Sequence, residues 1–263
     1  MISDYHMHTC FSDDSSTSVE AMTERAINLG MKRICITDHY DMDFPGGEFT
    51  LDTVAYLKKL TEVKEKYKDR LDLCVGVELG LQPHLQEEIS RYLNEFSFDF
   101  VIGSIHLVQG VDLDDRVKIK KTDEEIYREY FQFTLSNIRN IRGFQSLGHM
   151  DYVVRYGYQK EKDYSYYKYA DIIDEILWEL IQKDIALEVN TGSFKYGLNF
   201  VNPHPDILKR YQELGGMMVT AGSDAHRPEQ IGCQFQALKQ ILSDAGFDYL
   251  TIFKARKTEF VNC

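Results

Sequence analysis

Short apolar runs separated by longer amphipathic stretches give this chain its rhythm. Seven of them read as strands, over residues 2–6, 33–37, 73–77, 98–103, 146–149, 185–189 and 217–221. Several are continuous rather than alternating, the pattern of parallel strands covered by helices. The stretches between them carry helix signals. Thr17-Ser18-Val19-Glu20 has the form of a capping box, and Val19, Met22, Ala26 and Leu29 keep helical spacing as far as Gly30, a natural stop. Thr122-Asp123-Glu124-Glu125 repeats that logic ahead of a helix expected to reach about Arg142. Ile172, Ile173, Ile176, Leu177, Leu180 and Ile181 form an apolar helical face before the sixth strand. The longer connections, over residues 40–50, 109–121 and 194–205, are expected to wall a pocket.

Seven strand–helix units without a linker, repeat or low-complexity tract predict a single barrel-like α/β domain over residues 1–263. In such barrels the functional groups sit at the C-terminal ends of the strands. Composition agrees with a packed core, since 43% of the residues are hydrophobic. The formal net charge of -12 argues against a broad surface for long nucleic acid or anionic membrane, both of which need clustered Lys and Arg. The five cysteines show no CxxC pairing, and Cys35 and Cys74 lie inside apolar runs, so free thiols in a reducing cytoplasm are expected. The first residues lack a basic region and an apolar stretch, and no run approaches the roughly 18 residues of a membrane span. No membrane partner is expected, and a homodimer is compatible with the pattern.

Histidine changes the picture. His6, His8, His39, His106, His149 and His226 all stand at or just after the ends of predicted strands, most with a carboxylate adjacent or two residues away. Imidazole and carboxylate are the usual donors for zinc, manganese and iron(II). His6 and His8, two apart on an extended segment, face the same side and can chelate one ion. Asp4 is either a third group on that face or a partner that orients an imidazole. Asp13 and Asp14 follow in a Ser-rich loop, and spacing favours Asp14. Of Asp38 and His39, alternation lets one face the pocket, and His39 is the expected one. Glu78 ends an apolar strand, where an unpaired carboxylate is costly, so it reads as a ligand able to bridge two ions. His106 and His149 complete a second ion, and Asp224 with His226 forms another inward pair. His84 and His204 flank prolines and read as structural or surface residues. Tyr152, Tyr156, Tyr158, Tyr164, Tyr166, Tyr167 and Tyr169 read as packing.

Taken in order, DYHMHT, ITDHYD, GVELG, GSIH, GHMDYV and GSDAH resemble the successive motifs of the polymerase-and-histidinol-phosphatase (PHP) superfamily, from Asp4 to about Gly232. The resemblance implies a distorted (β/α)7 TIM-like barrel with a trinuclear metal site at the C-terminal ends of the strands. It implies one ion on His6, His8, Glu78 and Asp224, a second on Glu78, His106 and His149, and a third on Asp14, His39 and His226. Many relatives carry a histidine where this chain has Asp14, which leaves Asp13 open as the alternative ligand. Chain size and the segments GHMDYVVRYG and ELGLQPH look like the stand-alone histidinol-phosphatase branch. That branch implies hydrolysis of L-histidinol phosphate to L-histidinol and phosphate, with two to three zinc, manganese or iron ions.

The residues by themselves reach as far as a metal-dependent phosphoesterase with a small phosphorylated substrate. Rival readings are a PHP-type enzyme for another small monoester or short nucleotide, and a non-catalytic PHP-fold interaction module. Catalytic duty is expected of Glu78, Asp224 and His226, with Asp38 a candidate acid for the leaving group. Arginine matches phosphate oxygens in geometry, which nominates Arg155 and Arg227 as anchors. Lys195 is a third candidate, and Asn190, ending the sixth strand, is expected to face the substrate.

Overall fold

The computed structural model describes residues 3–115 and 119–263, so Ile2 of the first expected strand and residues 116–118 of the expected pocket-wall connection lie outside the described residues. The strands are β1 (Arg33–Ile36), β2 (His39–Tyr40), β3 (Asp72–Gly80), β4 (Phe100–Ser104), β5 (Leu107–Val108), β6 (Val111–Asp112), β7 (Ser146–Leu147), β8 (Ala186–Asn190), β9 (Val219–Gly222), β10 (Tyr249–Lys254) and β11 (Lys257–Asn262). The α-helices are α1 (Val19–Asn28), α2 (Thr53–Tyr67), α3 (Gln86–Glu95), α4 (Asp123–Asn140), α5 (Ala170–Gln182), α6 (Pro205–Glu213) and α7 (Phe235–Asp244). Six strands form a curled parallel sheet in the order β1-β3-β4-β7-β8-β9, with β2 also on β3. Each crossover between neighbouring staves carries a helix, as parallel pairing requires.

Local chemistry explains most helix starts. Thr122 and Glu125 form the expected capping box of α4. The start of α1 differs: Ser18, not Thr17, caps it by accepting from the Ala21 N–H. Thr17 instead donates its hydroxyl to the His226 carbonyl at 3.1 Å, tying the first loop to the last one of the site. In α5 the apolar face buries Ile173, Ile176, Leu177 and Leu180, and Ile172 and Ile181 pack against its margin.

Strand boundaries shift where the chain turns toward function. β7 is two residues long because His149 leaves the sheet with φ 21°. β9 begins two residues later than expected, and Met217 is exposed. The first predicted strand has no run of its own, only bridges from Asp4 to Ile34 and from Met7 to Ala225. Its hydrogen bonds still reach both edges of the sheet: Tyr5 N–H donates to Ala221, and Cys35 N–H donates to Asp4, each at 2.9 Å.

The hairpin β10–β11 covers the end of the sheet where the strands start. Ile252 and Phe253 pack on Tyr5, Cys35, Cys74, Phe100, Ile102 and Ala186. The Tyr5 hydroxyl donates to the Phe253 carbonyl at 3.0 Å, and Arg33 pairs with both Asp72 and Glu259 at 2.8 Å. Cys35 and Cys74 are buried free thiols as expected. Among the described residues no helix is long and apolar enough to cross a membrane.

Candidate metal centre

Glu78 is fully buried in β3, in register with His39 of β2 on one side and Ile102 of β4 on the other. Its Oε2 lies 3.1 Å from His6 Nε2, 3.5 Å from His8 Nε2 and 3.0 Å from His39 Nδ1. Its Oε1 lies 3.0 Å from His149 Nε2 and 3.3 Å from His106 Nε2, and accepts from the Ser104 hydroxyl at 2.6 Å. Each oxygen of one carboxylate thus faces its own set of imidazoles. Asp224 Oδ1 is 3.3 Å from His8 Nε2 and 3.6 Å from His226 Nδ1. Asp14 Oδ2 is 2.8 Å from His226 Nε2 and 3.7 Å from His39 Nε2. Asp13 turns elsewhere, accepting from the Phe49 N–H, so Asp14 is the acid that meets the cluster.

The donors fit divalent cations. His6 Nε2, His8 Nε2 and His39 Nδ1 are buried and meet Glu78 Oε2 without hydrogen-bond geometry, and His149 Nδ1 is buried without a hydrogen-bond partner among the described residues. Each such group left unpaired costs about 1–3 kcal/mol, so an array of them is stable only where something else satisfies it. Ligand atoms of His6, His8 and Asp224, of His6, Glu78 and His149, and of His8, His39 and His226 lie within 4.8 Å of one another. Imidazole nitrogen with carboxylate oxygen suits zinc, manganese or iron.

Charge in the cluster is strongly coupled. Burial alone would depress His6, but Glu188, Glu78 and Asp224 hold it well above the ordinary imidazole value. Burial is likewise overcome at His39, chiefly by Glu78 and Asp14, and at His106, where Asp41 and Glu78 push the ring up to about 9. His8 goes the other way, held down by burial and by neighbouring His39 and His226. Burial opposes the charge on Glu78, yet His6, His39 and His106 keep it well below the usual carboxylate range. The field that draws protons here is one that draws cations.

Two carboxylates absent from the sequence reading support this array. Asp41 accepts from His106 Nδ1 at 2.8 Å, and its Oδ1 occupies a space that a Cβ on Gly80 would enter at 1.9 Å. Glu188 in β8 lies 2.6 Å from His6 Nδ1. Neither was read as a site residue, because the histidines they hold, His106 and His6, lie far from them along the chain.

A cavity of ≈ 400 Å³ opens on the cluster, lined by Asp14, His39, His106, His149, Asp224 and His226. Phe44 and Phe49, Asp112 and Asp114, and Tyr196 bring the three expected connections into its wall. Arg155 lines it too, boxed by the rings of Tyr152, Tyr196 and Tyr156 at 3.8, 4.0 and 4.7 Å. It donates to the Tyr152 hydroxyl at 2.6 Å and makes no ion pair among the described residues. Tyr152 and Tyr156 are therefore pocket residues, a correction to the packing role expected of them.

Five other expectations are corrected. Asp38 is fully buried and accepts from Thr9 N–H at 2.6 Å, Thr9 hydroxyl at 2.8 Å and Ser12 hydroxyl at 2.7 Å, so it braces the first loop and is outside the cavity lining. Arg227 is exposed and is not among the residues that line the cavity. Lys195 donates to the Asp224 main-chain carbonyl, and Asn190 donates to the Glu188 side chain at 3.1 Å, so each braces a neighbour without lining the cavity. Asp4 is no ligand either: it accepts from Ser223 N–H and Gly232 N–H, each at 3.0 Å, and secures the loop that carries Asp224. His84 pairs with Asp43 at the surface and His204 caps α6, as expected of structural histidines.

A family model of the PHP domain matches residues 4–192. The histidinol-phosphatase of Lactococcus lactis subsp. lactis (strain IL1403) is 32% identical over 258 residues, covering 97% of this chain and 96% of its own. A Clostridium acetobutylicum protein named probable histidinol-phosphatase is 37% identical over 245 residues, covering 91% of this chain and 92% of its own. Among solved structures, histidinol phosphate phosphatase from L. lactis complexed with zinc, L-histidinol and phosphate superposes with a TM-score of 0.90 at 32% identity, covering 98% of each chain.

Proposed function

The chain belongs to the PHP domain family, and on that premise we propose that it is a metal-dependent phosphate-monoester hydrolase that converts L-histidinol phosphate to L-histidinol and phosphate. One observation carries the reading: the two oxygens of Glu78 face separate imidazole sets beside a cavity that also holds a caged arginine. The L. lactis structure, complexed with zinc, L-histidinol and phosphate, supports the substrate.

We read residues 1–263 as one domain, a distorted (β/α)7 barrel in which the segment from Asp4 to His8 serves as the seventh stave. The metal site then lies at the C-terminal ends of the strands. His6, His8, Glu78 and Asp224 would hold one ion, Glu78, His106 and His149 a second, and Asp14, His39 and His226 a third. When bound, divalent ions polarise the phosphoryl group, make water a stronger acid and neutralise developing charge. Arg155 would bind a phosphate oxygen, its guanidinium in no ion pair among the described residues and its plane held by the tyrosine rings. Tyr152 and Tyr156, with hydroxyls 2.8 Å apart, would orient the guanidinium. Phe44 and Phe49 line the cavity and would exclude water from the substrate's organic part.

Phosphate release measured over a panel of small monoesters tests the assignment. Histidinol phosphate should exceed the others by about a hundredfold in kcat/KM. A different best substrate would overturn the identity and keep the phosphatase. No release from any monoester by metal-replete protein would overturn both.

A further inference from the structure

Glu188 belongs to none of the ligand sets above, yet it touches two of them. It is 1% exposed in β8. Its Oε1 lies 2.6 Å from Nδ1 of His6, and its Oε2 accepts the backbone N–H of His149 at 2.7 Å. The Asn190 amide donates to the same Oε2 at 3.1 Å. On the far side of the two histidines stands Glu78, whose Oε2 is 3.1 Å from His6 Nε2 and whose Oε1 is 3.0 Å from His149 Nε2. Two buried carboxylates therefore span the same pair of histidines. One does so through their Nε2 atoms and the other from behind.

Each contact of Glu188 has a separate consequence. A carboxylate on Nδ1 fixes His6 as the tautomer with Nδ1–H, which leaves the Nε2 lone pair aimed at the cluster. The bond to His149 secures a main chain at φ 21°, a conformation that L-residues seldom adopt. Without that acceptor the His149 backbone loses the contact that holds its ring at Glu78. The space for this carboxylate is specific: a Cβ on Gly222 would sit 2.4 Å from Oε1.

We propose that Glu188 is a positioning residue that keeps two neighbouring ion subsites in register, through the ring of His6 in one and the backbone of His149 in the other. The inference rests on the metal-centre reading given above. It also predicts why an amide cannot replace the acid. Glutamine at 188 has one acceptor oxygen, so it can serve His6 Nδ1–H or His149 N–H but presents an N–H donor to the other.

The test is zinc affinity and stoichiometry of Glu188→Gln against wild type, by mass spectrometric metal analysis after equilibration at graded free zinc. Metal-free thermal unfolding is the control. The expected result is a loss of affinity of about ten- to a hundredfold at two sites together, with the metal-free variant unfolding near the wild-type temperature. Weakening of a single site would overturn the coupling. Unchanged affinity with a lower metal-free unfolding temperature would reduce Glu188 to a structural residue and overturn the proposal. If Glu188→Gln does not fold, Glu188→Asp, which keeps the charge and withdraws it by one methylene, must show the same two-site loss, and normal binding there overturns it. Wild-type protein that takes up no zinc at all would instead sink the metal-centre reading, a distinguishable failure.

Discussion

A buried carboxylate surrounded by five imidazoles is costly unless every member has a counterpart, and that makes Glu78 the residue on which the site depends. Glu78→Gln keeps the shape, removes the charge and turns one oxygen into a donor aimed at imidazoles. Turnover should fall by about a thousandfold or more, with bound metal falling alongside it. Normal metal content at a normal rate would refute the bridging role. Arg155 and Arg227 give a sharper contrast. Loss of the caged guanidinium in Arg155→Ala should raise KM and lower kcat/KM by about ten- to a thousandfold, whereas the exposed Arg227→Ala should alter neither by more than about twofold. Steady-state kinetics on the two variants, run side by side, decide it, and a reversal would exchange their roles. At this scale most of the candidate ligands were legible, because pairs such as His6 with His8 and Asp224 with His226 sit two apart on extended chain. Asp41 and Glu188 were not, because the histidines they hold lie 65 and 182 residues away. Asp38 misled for a related reason: adjacency to His39 says nothing about the Thr9 and Ser12 donors that claim it.

Among the elements, the parallel strands announced themselves as continuous apolar runs, whereas the C-terminal hairpin passed unread. Its turn explains why. Ala255 and Arg256, between β10 and β11, both take left-handed backbone, with φ 49° and 60°. Two-residue turns of that kind normally carry Asn-Gly or a similar pair, and that signal is missing here. The strain should be removable. Ala255→Asn keeps the N–H that donates to Asp99 at 3.0 Å and relieves about 1 kcal/mol, so Tm should rise by about 2–4 °C. An unchanged or lower Tm in calorimetry would mean that the turn is not strained. The hairpin also matters to the frame, since Phe253 fills the end of the sheet against Phe100 at 5.2 Å and Cys74. Phe253→Ala should cost about 3–5 kcal/mol, read as a shift in denaturant midpoint with activity per folded molecule preserved. The first expected strand departed in a different way. Its residues alternate between sheet pairing and delivery of His6 and His8, so it joins both sheet edges without forming a regular strand.

For the molecule as a whole, the net charge is -12, and five of its carboxylates, Glu78, Asp224, Asp14, Asp41 and Glu188, are gathered in one cluster. Without divalent ions, protons must take up that field. His6 and His39 are held well above the ordinary imidazole value and His106 is pushed up to about 9, so these rings bind protons near neutrality in the metal-free protein. Metal uptake then has to expel them. The sign follows directly: as pH falls, protons compete better for the imidazoles, and metal affinity drops by about tenfold per pH unit for each proton displaced. Calorimetric titration of metal-free protein with zinc, in buffers of different ionisation enthalpy at neutral pH, should show net proton release. The same ions hold the folded state, contributing about 2.7 kcal/mol for each site kept at a hundred times its Kd. Chelation should therefore abolish phosphate release and lower Tm together, and added zinc should restore both. Full activity after complete metal removal would end the metal-centre reading. Zinc binding without proton release would leave that reading standing and show that the imidazoles are already neutral, so that Glu78 and Asp224 face the ions as an uncompensated field.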